Sequence, residues 1–431
     1  MTALARMEGS ARILALVKLA NVGLVLIWGF AVTYVFVRVL PIAEFRAFLL
    51  LVAFGNFTIS AEFGLTSIIY ARLRRRWLGG EAEEGGFRPE EMGVLFLFLA
   101  LLIAGGTLVL LVALAAGALS TQMPLLFLLF FLSACLNLPA LLAKRALAAV
   151  DGNFLWEALD CLRRLFTIGL LAAILAGLDP RLSVALQLAV SIAVIGYAIG
   201  HVHRRLGMEG RHWLAFRVGG GHVWRHYLRD VGASAAFTVS DIVAYNAPYF
   251  TIAMATHDAR PMLLFDFFFK MSRALSMLVR AMVEAALPRI TRAYHAGETA
   301  RLRQLLLRAG GAALLFALAL AVALMLGGKP LFHVLFDGKA AIGEMDLMLT
   351  GVALLALALV CVSVYVQGAL GHFRLLLSRS LPLLAGSLLS VPVAWTLWPG
   401  RFDIAFLALY ALTLLVAAGL HLVLLRRLAR G

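Results

Sequence analysis

Residues 93–116 read GVLFLFLALLIAGGTLVLLVALAA, 24 positions without one ionisable side chain. At 1.5 Å per residue such a run crosses the ~30 Å hydrocarbon core of a bilayer as a single helix. The rest of the chain is built the same way. Comparable runs occupy residues 13–37, 47–70, 124–143, 155–178 and 182–201 before a polar stretch, and 231–254, 261–287, 309–326, 347–367, 381–397 and 404–425 after it. Hydrophobic residues make up 63% of the 431 and charged residues 14%, with a mean hydropathy of +0.95. A soluble chain carries about 25% charged residues, so the expected fold class is an all-α polytopic membrane protein with about twelve transmembrane helices.

Charge placement sets the expected orientation. With the N-terminus inside, 27 Lys and Arg fall on inner segments and 7 on outer ones. Basic residues concentrate on cytoplasmic loops, so both termini are expected in the cytoplasm. The net charge of +15 then needs no nucleic acid to explain it. No signal peptide is expected, because the first apolar run is too long for an h-region and no small-residue cleavage site follows it. The longest outer segment, 327–346, is too short for a catalytic domain.

The polar stretch 203–229 divides the spans six and six. The expected organisation is an N-terminal half (1–202), a cytoplasmic linker (203–229) with Gly219, Gly220 and Gly221 as a flexible joint, and a C-terminal half (230–431). Six is even, so any internal repeat is parallel rather than inverted. The sequences AEFGL around Glu62 and VEAAL around Glu284 are the one visible trace of duplication. Three cysteines, Cys135, Cys161 and Cys361, form neither a disulfide framework nor a zinc pattern. The linker histidines His201, His203, His212, His222 and His226 lack accompanying ligands, and no Lys-Ser/Thr follows the glycines. Neither a metal nor a cofactor is expected.

Charges at membrane depth cost about 2.5–3.5 kcal/mol each and face a cavity or a partner. Eight such groups occur: Lys18, Glu62, Asp241, Asp266, Lys270, Arg273, Arg280 and Glu284. Five lie on the eighth span at steps of 4, 3, 7 and 4, within an arc of roughly 80°. That stripe reads as the wall of a water-filled cavity, or as ion pairs (Asp266 with Lys270, Arg280 with Glu284) packed against a neighbouring helix. Asp230, Ser234, Asp241 and Tyr245 share a face of the seventh span. Asp241 there is either a proton or sodium carrier or the counter-charge of Arg273. Glu62 either gates the cavity or pairs with Lys18 or Arg273. Lys18 and Asn21 share a face of the first span and are candidate cavity residues.

The segment VRVLPIAEFRAFLLLVAFGNFTISAEFGLTSIIYARLRR (37–75) resembles the first-to-second helix region of bacterial polysaccharide, or O-antigen (Wzx-type), flippases of the multidrug/oligosaccharidyl-lipid/polysaccharide (MOP) exporter superfamily. ALPRITRAYHAGETARLRQLLLRA (286–309) is similar to that family's exit from helix eight, PLFHVLFDGKAAIGEMDLMLTGVAL (330–354) to its outer loop before helix ten, and VQGALGHFRLLLSRS (366–380) to the inner turn after it. Arg46-Ala47 stands where the family usually has a glycine after Glu44-Phe45.

The resemblance implies a flippase that carries a polyprenyl-diphosphate-linked oligosaccharide across the bacterial plasma membrane by alternating access. Lys18, Asn21, Arg46, Lys270, Arg273 and Arg280 would then meet the cargo, and Glu62, Asp241, Asp266 and Glu284 would couple or gate. Implied partners are the lipid-linked oligosaccharide, membrane lipids and a polysaccharide polymerase or other assembly protein. The same fold also suits a cation-coupled (MATE-like) antiporter of drugs or organic cations. That cargo calls for an acidic, aromatic-rich cavity. A membrane glycan polymerase fits less well, because the outer loops are short.

Overall fold

A computed structural model describes residues 11–60, 65–78 and 86–429. Among them are fifteen α-helices and no strand. In chain order these are α1 (Ala11–Val39), α2 (Ile42–Ser60), α3 (Leu65–Trp77), α4 (Glu90–Ala115), α5 (Pro124–Cys135), α6 (Asn137–Ala149), α7 (Asn153–Leu175) and α8 (Pro180–Arg205). There follow α9 (Gly210–Leu214), α10 (Phe216–Ala255), α11 (Arg260–His295), α12 (Thr299–Phe336), α13 (Glu344–Ala369), α14 (Phe373–Leu397) and α15 (Phe402–Leu428). Eight described helices are long and apolar enough to cross a membrane, α4 with a mean hydropathy of 2.8 among them. In α7 and α11 the apolar pattern is interrupted by the charges discussed below.

The chain forms two compact units. One comprises 1–39 and 51–235, the other 40–50 and 236–431. In the N-terminal unit α1 packs on α7, α5 and α7 on α8, and α3 on α6. Close approach is allowed by the alanines of α6: Ala140, Ala143, Ala146 and Ala149 are all buried, as expected where helices pack in lipid without a hydrophobic driving force between them. The expected fourth span is broken at Leu136. Pro139 has no N–H for the carbonyl of Cys135, so one helical bond is missing there; Asn137 Nδ2 donates to the Ala134 carbonyl beside it at 2.8 Å. At the α6–α7 turn Asp151 takes a left-handed φ of 61°. Burial pulls its carboxyl upward, but hydrogen bonds from Trp77 and Arg74 outweigh that and hold it below the usual carboxylate range.

The joint expected at Gly219, Gly220 and Gly221 is helical, inside α10. Of the three, Gly219 serves packing. A Cβ on Gly219 would lie 2.6 Å from the Glu90 carbonyl oxygen, and one on Gly93 2.5 Å from that of Trp213. Both close approaches press α9 and the start of α10 onto the first turns of α4. Gly220 has open space around it. The two neighbours should therefore respond oppositely. Gly219→Ala is expected to destabilise by about 1–3 kcal/mol through overpacking. Gly220→Ala should stabilise by about 0.5–1 kcal/mol, because alanine has less backbone entropy to lose. Thermal unfolding of the two purified variants checks both signs.

In the C-terminal unit α13 packs against α11, α12 and α15, and α14 against α15. Its core is aromatic. Phe265 meets Tyr410 edge-on at 5.6 Å and Tyr249 at 4.9 Å, while Phe267 meets Phe332 at 5.4 Å. Four of its long helices contain an internal proline: Pro248 in α10, Pro288 in α11, Pro330 in α12, and Pro382 and Pro392 in α14. The expected outer segment 327–346 is mostly helix. α12 runs on to Phe336 and stops at Asp337, whose left-handed φ of 56° breaks the turn. Lys329 on its last turns pairs with Glu344 at 2.8 Å.

Candidate functional site

The stripe on α11 divides into three. Asp266 and Lys270 form a buried ion pair, and the Tyr249 hydroxyl donates to Asp266 Oδ1 at 2.8 Å. Arg280 and Glu284 pair with each other at 2.7 Å on an exposed surface, with the guanidinium 5.9 Å from the Tyr365 ring. Arg273 is exposed and lies 5.7 Å from the Phe269 ring centre. The i to i+4 spacing that suggested these pairs therefore forms them, and the cations of Lys270 and Arg280 are neutralised where they stand.

Asp241 differs from all of these. Its carboxylate is half-buried on α10 and has neither an ion pair nor a hydrogen bond among the described residues. It lies within electrostatic reach of Tyr245 on its own helix, Cys361 and Tyr365 on α13, and Tyr410 on α15. Ser276 of α11 ties into the group, 3.3 Å from Cys361 Sγ and with its carbonyl 3.4 Å from the Tyr365 hydroxyl. Two turns further along α10, Pro248 leaves the Ala244 carbonyl without its helical donor. The hydroxyls of Ser387 on α14 and Tyr410 on α15 donate to that carbonyl, the latter at 3.3 Å. The proline thus exposes an acceptor that binds three helices together beside Asp241, as buried backbone in a membrane requires. Asp230 and Ser234, expected on the same face, have side chains outside the described residues, and so does Glu62.

A second ionic group lies in the N-terminal unit, around the candidate cavity residue Asn21. Asn21 on α1 donates to Glu157 Oε2 at 2.6 Å and to Asp160 Oδ2 at 3.0 Å, and accepts from Arg164 Nε at 3.1 Å. Asp160 is held by Arg163 at 2.6 Å and Arg164 at 3.0 Å, and Glu157 by Lys144 at 3.3 Å. Asn21 is therefore committed to a buried network that joins α1 to α7 and does not line an open surface beside Lys18, which is exposed. Nothing in the sequence of α7 itself shows that Asn21 faces its charges. The available signal was the coincidence of a polar residue deep in α1 with four charges in the first turns of α7.

Arg46 is also placed differently from the cavity role expected of it. Its guanidinium donates to the carbonyls of Thr256, at 2.5 Å, and His257. These carbonyls end α10, where the last turn leaves acceptors unmet and a cation is favoured. Lys339 similarly donates to the Leu40 carbonyl at 3.1 Å. Among the described residues no cluster of His, Cys, Asp and Glu could hold a metal ion.

No family model matches the sequence, and no curated protein matches it. Solved structures do. A point mutant of the Vibrio cholerae MATE transporter VcmN superposes with a TM-score of 0.67 at 16% identity, over 100% of this chain and 98% of that one. An inward-facing multidrug resistance MATE family transporter of the MOP superfamily gives 0.67 at 15% identity, over 94% of each chain. The eukaryotic MATE transporter AtDTX14 gives 0.57 at 13%, over 95% of this chain and 97% of that one. At such identities the likeness establishes the fold. The chain is a multi-pass all-α membrane protein with the fold of these MATE transporters. All three neighbours are MATE transporters, one described as a member of the MOP superfamily, and none of the three is a polysaccharide flippase of the kind that the sequence motifs resemble.

Proposed function

We propose that the protein is a secondary transporter that exports amphipathic organic cations in exchange for protons or sodium, with Asp241 as the coupling carboxylate. The observation that carries this is the environment of Asp241: a half-buried carboxylate with no ion pair or hydrogen bond among the described residues, within electrostatic reach of Tyr245, Tyr365 and Tyr410. Without a fixed counter-charge it is available to either of two cations in turn, and competition for one carboxylate is what an antiporter requires. Phenol rings add cation–π attraction for a delocalised organic cation. The basic candidates are mostly engaged: Lys270 and Arg280 in ion pairs, Arg46 at the end of α10. In this reading Lys and Arg placement puts both termini on the cytoplasmic side of a bacterial plasma membrane.

A second reading is favoured by the exposed cations Lys18 and Arg273 together with the flippase-like motifs. Here the cargo is a polyprenyl-diphosphate-linked oligosaccharide, whose diphosphate these cations would bind through charge-assisted bonds. A glycan polymerase would be the natural partner in that case. One experiment separates the two. Proteoliposomes are given an imposed pH or sodium gradient and assayed for a fluorescent organic cation and, in parallel, for leaflet exposure of a labelled diphosphate-linked glycolipid. Gradient-dependent movement of the cation with an unmoved glycolipid is expected. Glycolipid translocation without cation movement would select the second reading.

A further inference from the structure

In the C-terminal unit α13, α14 and α15 meet at the end where α14 begins, and none of them brings a carboxylate there. α14 has no acidic residue, and the only acids of α13 and α15, Glu344, Asp346 and Asp403, lie within their first three residues at the opposite end. The same end carries Arg374, Arg379, Arg426, Arg427, His372 and His421. Glu284 of α11 is taken by Arg280.

Inside this basic end two nitrogens are orphaned. His421 is fully buried, with Nδ1 3.0 Å from the hydroxyl of Ser363, itself fully buried. Among the described residues its Nε2 has no partner, and neither has the buried Nε of Arg379 on the adjacent helix. Arg379 lies within electrostatic reach of His421. No acidic residue among the described residues pairs with Arg379. A buried donor left unmet costs about 1–3 kcal/mol, so the pair calls for an acceptor. With Ser363 donating to Nδ1, the proton sits on Nε2, and both orphans are N–H donors in want of an acceptor.

Depth narrows the class of anion. Arg379 lies six residues into α14 and His421 seven from the end of α15, so both sit roughly 10 Å from the helix ends. A helix of 25 residues is a few ångströms longer than the ~30 Å hydrocarbon core at each side. A guanidinium near its boundary reaches the level of lipid phosphates by extending along its own stem.

We propose that Arg379 and His421 form a binding site for a phosphate-bearing anion at this basic end of the C-terminal unit. The phosphate is either the phosphodiester of an anionic lipid headgroup or free inorganic phosphate. The site is separate from the Asp241 group and does not depend on the cargo.

The purified protein is placed in an uncharged, phosphate-free glucoside detergent and titrated with phosphatidylglycerol or with inorganic phosphate. Binding is followed by native mass spectrometry and thermal unfolding. Wild type is expected to take up one ligand at this site. Arg379→Gln should weaken it about tenfold or more, the loss of one charge-assisted bond, while Arg374→Gln, at an exposed position, binds as wild type. Should Arg379→Gln fold poorly, Arg379→Lys, which keeps the charge and loses the Nε donor, is expected to bind with intermediate affinity. A response to lipid alone assigns the headgroup, and a response to both assigns a small phosphate site. If wild type binds neither, or if the Arg379 variants bind as tightly as wild type, the two nitrogens are met by buried water and the proposal fails.

Discussion

Asp241→Asn is expected to abolish gradient-driven transport while leaving the fold and its thermal stability intact. The carboxylate makes no ion pair or hydrogen bond among the described residues that the amide would lose, and asparagine is nearly isosteric. Removing an unpaired charge from a half-buried position also lifts a desolvation cost. What the amide cannot do is exchange a proton or sodium ion. One pH unit is worth about 1.4 kcal/mol, so a one-for-one exchanger can build at most about a tenfold cargo gradient on it. Wild-type proteoliposomes should approach that ratio. The variant should stop at equal concentrations inside and outside, even with the pH step maintained. Accumulation by Asp241→Asn equal to wild type would remove Asp241 from the coupling role.

Asp160→Asn should act in the opposite manner, on stability before function. The aspartate side chain is 6% exposed and holds two arginines, Arg163 and Arg164, whose side chains are 8% and 18% exposed. Its amide leaves both with no carboxylate except Glu157, which already receives Asn21 and Lys144. Breaking one partner out of a buried ionic group costs about 3–5 kcal/mol, because the remaining charge stays buried. Asn21→Ala removes charge-assisted hydrogen bonds but leaves the ion pairs in place, and should cost less. Thermal unfolding of detergent-purified variants ranks them. Replacing Asp160, Arg163 and Arg164 together by leucine should recover much of the loss, since a buried ionic group and a well-packed apolar one are often nearly equivalent. A recovery no better than the single variant would mean that the network also fixes the alignment of α1 on α7.

Much of the helical framework was legible because a helix in lipid must satisfy its own backbone and cover it with apolar side chains. The local pairs on α11 were legible for a related reason: residues four apart on a helix are neighbours whatever the fold. The placements that could not be read depend on tertiary contacts. Arg46 meets a carbonyl 211 positions away and Asn21 a carboxylate 136 away, distances over which periodicity carries no information. The glycines of α10 were misread for the same reason. Three consecutive glycines suggest freedom when viewed along the chain, whereas Gly219 is there because Glu90 of another helix comes too close for any side chain. Asp241 was recognisable as a candidate by depth alone. Its lack of a partner became visible only once α13 and α15 were seen around it.

The internal prolines divide the molecule mechanically. Among the described residues, Pro248, Pro288, Pro330, Pro382 and Pro392 all interrupt long helices of the C-terminal unit. In the N-terminal unit one such interruption is seen, at Pro139, whereas Pro124 and Pro180 stand at helix starts, where no hydrogen bond is forgone. Each interruption removes one rung from a helix ladder and lowers its resistance to bending there. Bending is expected to concentrate at these prolines in the C-terminal unit, and on α10 it falls at Pro248, two turns beyond Asp241.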